Sequence, residues 1–212
     1  LRISGGSEAI RYMASVGYTD QNGIIRNSGM NKYNIRLNLD SKVSNRLDAS
    51  FNMAYTREDI TRPTGPNGND YTTYFYVLNK LSPMVPCYKT DGTYGYIGDG
   101  NPIAWFDNNS VQDQFRNNLQ TIASLTYHIL PELSLKGTAA YKLYYGETHD
   151  MHKAIQYDDI YNQGTVDKLS ENIYRDDRVS GDILLTYEKT FDKVHNLKAM
   201  AGYHAELYRN NG

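Results

Sequence analysis

The 212 residues carry 22 Lys+Arg against 24 Asp+Glu, a net charge of −2, so the chain has no basic field to draw nucleic acid or an anionic membrane surface. Hydrophobic residues make up 40% of it, yet the mean hydropathy is −0.65, and 20 Tyr stand against 5 Phe and 1 Trp, a bias that suits strands and half-wet boundaries. The single Cys87 excludes an internal disulfide framework, and the absence of any run of about 18 apolar residues excludes a membrane helix but not a membrane barrel.

The length allows one large domain or two small ones, with room for a sizeable core. The opening LRISGG alternates from its first residue, has no initiator Met and is no signal peptide, so a piece of a longer protein is expected. A short strand is predicted over 1–5, with a turn at 6–8. Because the side-chain period of a strand is two, each later segment separates into two faces. Ile10, Tyr12, Ala14, Val16 and Tyr18 oppose Arg11, Met13, Ser15 and Gly17. In YNIRLNLDSKVSNRLDASFNMAY, residues 33–55, Tyr33, Ile35, Leu37 and Leu39 oppose Asn34, Arg36, Asn38 and Asp40; after a polar turn at 41–46, Leu47, Ala49, Phe51, Met53 and Tyr55 oppose Asp48, Ser50, Asn52 and Thr56.

Downstream, residues 119–128 read as a strand in which Ile122 falls on the polar side. Leu133, Leu135, Gly137, Ala139, Tyr141, Leu143 and Tyr145 form an uncharged row, residues 179–187 make a strand with Leu184 misplaced, and Leu197, Ala199, Ala201, Tyr203, Ala205 and Leu207 complete the set. Helix is predicted only within YTTYFYVLNKLSP. About eight antiparallel strands make the chain all-β.

Connections alternate strictly between short and long. Short turns lie at 6–8, 41–46, 129–132 and 188–194; long loops lie at 20–31, 58–117 and 146–178. Soluble domains seldom carry structureless loops beyond about 15 residues, whereas outer-membrane barrels have short turns at one rim and long loops at the other. Tyr18, Tyr33, Tyr55 and Tyr145 sit where apolar rows meet the long loops, and Tyr127 and Tyr187 where they meet the short turns, the positions of a lipid-interface girdle.

Three separated stretches, SGGSEAIRYMASVGYTDQNGIIRNSGMNKYNIRLNLDSKVSNRLDASFNMAY, PMVPCYKTDGTYGYIGDGNPIAW and LTYEKTFDKVHNLKAMAGY, resemble in that order the barrel of the SusC/RagA family of TonB-linked outer-membrane proteins. The resemblance implies that residues 1–212 are the middle part of a larger transmembrane β-barrel in the outer membrane of Bacteroidota, an open curved sheet if isolated, with the plug domain and TonB box absent. It further implies import of oligosaccharides or peptides, with a SusD-like surface lipoprotein as lid, TonB engaged through the absent N-terminal part, and lipid around the barrel.

Catalysis finds no constellation here, and no cofactor or metal is expected. His149 and His152 in HDMHK would share a helix face but lack a third ligand of clear spacing. The pairs Asp158 and Asp159, or Asp176 and Asp177, would point apart on an extended chain. GDGNP, residues 98–102, is turn chemistry rather than a phosphate cradle, and TDGTYGY, residues 90–96, reads as a small hairpin turning at Asp-Gly. The loop over 58–117 holds Tyr71, Tyr74, Phe75, Tyr76, Tyr88, Tyr94, Tyr96, Trp105 and Phe106. Aromatic planes stack on sugar rings and carboxylates bind hydroxyls, so Tyr88, Tyr94, Tyr96, Asp99 and Trp105 are candidates for touching cargo or lid; the alternative is that they pack the loop on itself. Two other architectures compete with the importer: a complete eight-stranded barrel acting as anchor or adhesin, and a soluble carrier with its apolar rows turned inward.

Overall fold

Backbone pairing runs through the chain as one continuous antiparallel meander. The computed structural model describes residues 1–64, 71–96, 100–157, 162–163, 166–192 and 194–211. Strands β1 (Arg2–Gly6), β2 (Ile10–Asn22), β3 (Gly29–Ser44), β4 (Leu47–Pro63), β5 (Val111–Leu130), β6 (Leu133–His152), β9 (Lys168–Phe191) and β10 (His195–Asn211) lie side by side in chain order. Between β6 and β9, β7 (Ile155–Gln156) and β8 (Asn162–Gln163) form a separate two-stranded ribbon. Helices α1 (Tyr71–Lys80) and α2 (Pro102–Asp107) lie between β4 and β5. Among the described residues β1 pairs only with β2 and β10 only with β9, so the sheet is open, as expected of a barrel segment and unlike a closed eight-stranded barrel.

Register fixes the faces, because residues directly opposite each other in neighbouring strands point the same way. Val16 lies opposite Ile35, Ile35 opposite Tyr55, Tyr55 opposite Leu119 and Leu119 opposite Leu143. Lower down, Ala49 meets Leu125, Leu125 meets Gly137, Gly137 meets Ile183 and Ile183 meets Tyr203. The predicted apolar rows thus join into one apolar band across the sheet. Ile122 and Leu184 do fall on the polar face, opposite Asn52 and Gly202 respectively. The Leu184 side chain lies over Gly202, where a Cβ would meet its Cδ1 at 3.1 Å.

Exposure runs opposite to the pattern of a soluble sheet. Leu125 is 56% exposed, Ile183 56% and Tyr203 72%, while Ser124, Ser180 and Asp182 on the polar face are half-buried. A sheet that curves with its polar side inward crowds polar residues and splays apolar ones, and the apolar face then needs a nonaqueous neighbour. This overturns the soluble-carrier alternative, in which apolar rows face inward. The room that the length allows for a sizeable core is not used: the buried hydrophobic residues described, Val77, Ala104, Trp105, Ile155 and Tyr157, all lie outside the eight strands. On β6 the apolar row from Leu133 to Tyr145 spans roughly 40 Å along the strand, or roughly 30 Å in height at a 35–45° tilt, which matches a bilayer's hydrocarbon thickness.

Strands outrun their sequence signal at the long-loop rim. β4 continues to Pro63, β5 begins at Val111, β6 reaches His152 and β9 begins at Lys168, inside segments whose alternation had ended. Pairing continues there while both faces are polar, as where Lys32, opposite Glu58, places Nζ 2.8 Å from Glu58 Oε1. The turns at the other rim are correspondingly tighter, with only Asn45 and Arg46 between β3 and β4.

The described residues of the long loops outside the strands are folded. Asn101, 3% exposed, caps α2: its Oδ1 accepts from the amides of Ile103 (2.9 Å) and Ala104 (3.4 Å), and Pro102 occupies the first turn, where a missing N–H costs nothing. Its Nδ2 donates to the carbonyls of Cys87 and Gly95, both at 2.9 Å. Its amide donates to the Tyr157 hydroxyl at 3.1 Å. Asn108 Nδ2 donates to the Ala154 carbonyl at 3.1 Å, and Asn27 Nδ2 to the Phe106 carbonyl at 3.1 Å, so the three loops form one cap on the rim.

Ile183→Arg is expected to destabilise the intact barrel in bilayers by about 2–4 kcal/mol in urea unfolding, and Ser180→Arg, on the opposite face beside Glu206, by far less. Asn101→Ala is expected to cost the cap about 2 kcal/mol, since the buried Gly95 carbonyl, the half-buried bond to the Cys87 carbonyl and the first turn of α2 all lose a partner, with Asn101→Asp intermediate. Hydrogen exchange over residues 101–107 reads the difference.

Candidate functional site

Three surfaces are built on this frame: the apolar band with its tyrosines, the polar wall, and the cap. The six tyrosines expected at the interfaces all sit on the apolar face. Tyr18 and Tyr33 are directly paired, with ring centroids 5.2 Å apart. At the long-loop rim the hydroxyls point away from the band: Tyr18 donates to Asn31 Oδ1 at 2.8 Å, Tyr55 to Asn117 Oδ1 at 2.8 Å, and Tyr145 to Glu147. Each acceptor lies two residues further towards the loops, so each ring stays beside the apolar rows while its hydroxyl enters the polar zone. Tyr127, opposite Leu47, and Tyr187, opposite Leu133, take the short-turn end.

The polar wall is dense with side-chain hydrogen bonds. Ser50 and Ser124 hydroxyls lie 2.6 Å apart across β4 and β5, Gln112 Nε2 donates to Asp150 Oδ1 at 2.6 Å, and His204 Nδ1 lies 2.5 Å from Asp182 Oδ1. No buried side-chain nitrogen or oxygen among the described residues lacks a partner. A cavity of about 320 Å³ near the short turns is lined by Arg11, Asp40, Lys42, Asp48 and Lys136, charges of both signs on the same face.

In the cap, the predicted hairpin is present: Tyr88 bridges Tyr94, the Lys89 amide donates to the Thr93 carbonyl at 2.6 Å, and Gly92 takes the left-handed conformation (φ 85°) that the turn demands. Tyr88, 51% exposed, and half-buried Tyr94 both donate to Asp107 Oδ2, at 2.9 and 3.1 Å. The carboxylate bond holds the Tyr88 phenol above its ordinary range, and burial followed by the same carboxylate does so for Tyr94. Asp91 beside the turn is held below the usual carboxylate range by the Thr93 hydroxyl and amide.

Tyr96 packs on Tyr157 with ring centroids 4.7 Å apart and planes tilted by 39°, and Trp105, 1% exposed, is part of the cap's core. Burial pushes the Tyr157 phenol up. Among the candidates, then, Tyr88 presents an open surface, Tyr94 and Tyr96 present part of theirs, and Trp105 shapes the cap from within. Asp99 lies outside the described residues, as do Asp158 and Asp159. β6 sets His149 and His152 on opposite faces: His149 lies 3.2 Å from Glu171, and His152 is buried, 3.1 Å from the Thr64 hydroxyl. The described residues contain no cluster of three or more metal-type ligands.

Asn101 and Tyr157 hold the cap together, and neither stood out in sequence. Asn-Pro ahead of IAWF was the available sign, since Asn is a strong cap and Pro a strong first residue. Tyr144 stands on the polar side, as the alternation of its strand predicts, but its gathering there with Tyr174 and Tyr208, from three strands, was unanticipated.

No family model matches the chain. It is 34% identical over 122 residues to TonB-dependent receptor P26 of Formosa agariphila, covering 55% of this chain and 11% of that protein. It is 24% identical to TonB-dependent receptor P3 of the same organism over its whole length, 21% of that protein. The chain therefore spans about a tenth to a fifth of the length of these curated relatives. Among solved structures, the RagAB peptide importer in its closed-closed state matches 99% of the chain and 24% of the importer chain at a TM-score of 0.72 and 20% identity. The open-open state matches the same shares at a TM-score of 0.73 and 21% identity. The relatives bear receptor names, which supports a role other than catalysis. Motifs, relatives and fold point the same way: the chain is similar in sequence to a stretch of TonB-dependent receptors and shares the fold of a β-barrel segment of the RagAB importer.

Proposed function

We propose that the chain is part of the wall of a TonB-dependent importer that carries oligosaccharides or peptides across the outer membrane beneath a SusD-like surface lipoprotein. On this reading residues 1–212 belong to the barrel domain alone, and the plug and the segment that engages TonB lie elsewhere in the protein. The observation that carries the proposal is the polar wall: a hydrogen-bonded face runs from the short turns to a folded cap, opposite an exposed apolar band. An anchor or adhesin needs the apolar band but has no need of a continuous polar path. The likeness to the RagAB peptide importer supports the transport class.

In the complete protein, Tyr18, Tyr33, Tyr55, Tyr127, Tyr145 and Tyr187 meet the two lipid interfaces. Cargo or lid meets the cap at Tyr88 and the adjoining faces of Tyr94 and Tyr96, with Asp99 on the same loop, while Trp105 acts by holding that loop in shape.

The test is uptake by the full-length transporter in cells with and without TonB. Uptake that depends on TonB and on the lipoprotein supports the importer, and uptake indifferent to both removes it. Within the intact complex, Tyr88→Ala is expected to weaken cargo or lid binding by about tenfold while the cap stays protected from hydrogen exchange. Trp105→Ala is expected to weaken binding only together with loss of that protection. Unchanged binding in both variants would exclude the cap from the contact.

A further inference from the structure

The polar wall carries one cluster that its own hydrogen bonding leaves incomplete. Towards the long-loop rim of β5, β6, β9 and β10, register sets Asn118 beside Tyr144, Tyr144 beside Asp176, Lys142 beside Arg178, and Arg178 beside Tyr208, all on the polar face. These six residues line a cavity of about 220 Å³. It is smaller than the roughly 300 Å³ at which sites for drug-sized ligands begin, so it fits one chemical group with its neighbouring atoms rather than a whole oligomer.

Charge inside the cavity is unevenly satisfied. Asp176 accepts from the Tyr174 hydroxyl at 2.5 Å, the Tyr208 hydroxyl at 2.9 Å and Asn210 Nδ2 at 2.7 Å, so its oxygens are already engaged by neutral donors. The Arg178 guanidinium lies 5.4 Å from the centre of the Tyr208 ring, and its Nε makes a solvent-exposed ion pair with Glu206 at 3.6 Å, too long for a hydrogen bond, so its N–H donors stay available. Among the described residues no carboxylate pairs with the Lys142 ammonium. Two cations and one amide therefore face the cavity with donors unused, between the rings of Tyr144 and Tyr208. Tyr174 braces this wall, its ring edge-on to Tyr144 with centroids 5.6 Å apart.

We infer that this cavity is a carboxylate-recognising subsite on the import path. Arg178 and Lys142 hold the acid group, the guanidinium offering a planar fork and the ammonium a point charge. Asn118 adds a neutral donor, and the tyrosine rings flank the carbon skeleton attached to the acid. The inference rests on the importer reading and adds to it a chemical preference: acidic cargo, whether the free C-terminus of a peptide or a uronate on a sugar.

The experiment uses the full-length transporter with its surface lipoprotein and two matched probe pairs, a hexapeptide with a free or amidated C-terminus and digalacturonate with neutral digalactose. Titration calorimetry is expected to show the acid of at least one pair binding about tenfold more tightly than its neutral twin. Lys142→Met and Arg178→Met should abolish that preference, and Lys142→Arg should retain it, all with wild-type heat-modifiability of the barrel on gels. The responding pair identifies the source of the acid. Two results overturn the subsite: neither acid preferred by the wild type, or a preference that survives both Met variants. Where the preference survives and the Met variants also expose the plug to protease, the cluster belongs to plug docking instead. TonB-dependent uptake persisting alongside any of these leaves the importer reading standing, whereas loss of TonB dependence in the wild type removes that reading itself.

Discussion

An unbroken ladder of backbone hydrogen bonds is the constraint on which everything else here depends. Inside a bilayer no water is available to an N–H or C=O group, so a strand can cross only when both its neighbours are strands in register. Seven consecutive antiparallel pairings meet that demand for the interior strands of this chain, and they relieve the side chains of any duty to form a core. This is why 212 residues fold with a small buried cluster in the cap, while leucines and isoleucines in mid-strand remain open. Compactness comes from the ladder and from the lipid outside it rather than from burial within the protein.

With the wall fixed by its backbone, the two faces are free to diverge. The apolar face is uniform and tolerant, built from Leu, Ile, Val, Ala and Gly with tyrosines at its margins whose hydroxyls reach towards polar neighbours. The opposite face is particular: serine pairs, glutamine–aspartate bonds, His204 beside Asp182, and the Tyr144, Arg178 and Tyr208 group each define a local environment. The cap has a third logic. Having left the ladder, its backbone groups find other partners, and a single buried Asn101 serves two carbonyls, two helix amides and a tyrosine hydroxyl. The fold is uniform in the membrane and irregular above it because only above it can water share the work of satisfying the chain.

Legibility of the sequence followed the same division. Alternation identified the β strands, their faces and even the misfits Ile122 and Leu184, because between oil and a polar lumen the two sides of a strand demand different residues. Above the band that contrast disappears, so the continuation of β4 to Pro63 and of β6 to His152 left no trace in hydropathy, although pairing persists. In the loop, aromatic richness suggested cargo contact. The structure divides those aromatics between a surface that includes Tyr88 and a core that includes Trp105, and composition cannot distinguish the two uses.

By itself, then, the sequence determined that the chain is an all-β barrel wall, which face is apolar, which rim carries the loops and where the tyrosines stand along each strand. These are properties of period two and of turn length, which are local. Tertiary structure alone decided that the loops fold into one cap around Asn101 and Tyr157, that Trp105 is interior, and that Lys142, Arg178, Tyr144 and Tyr208 share a cavity. Those groupings join residues thirty or more positions apart, and they exist only once strand register has set which side chains stand next to one another.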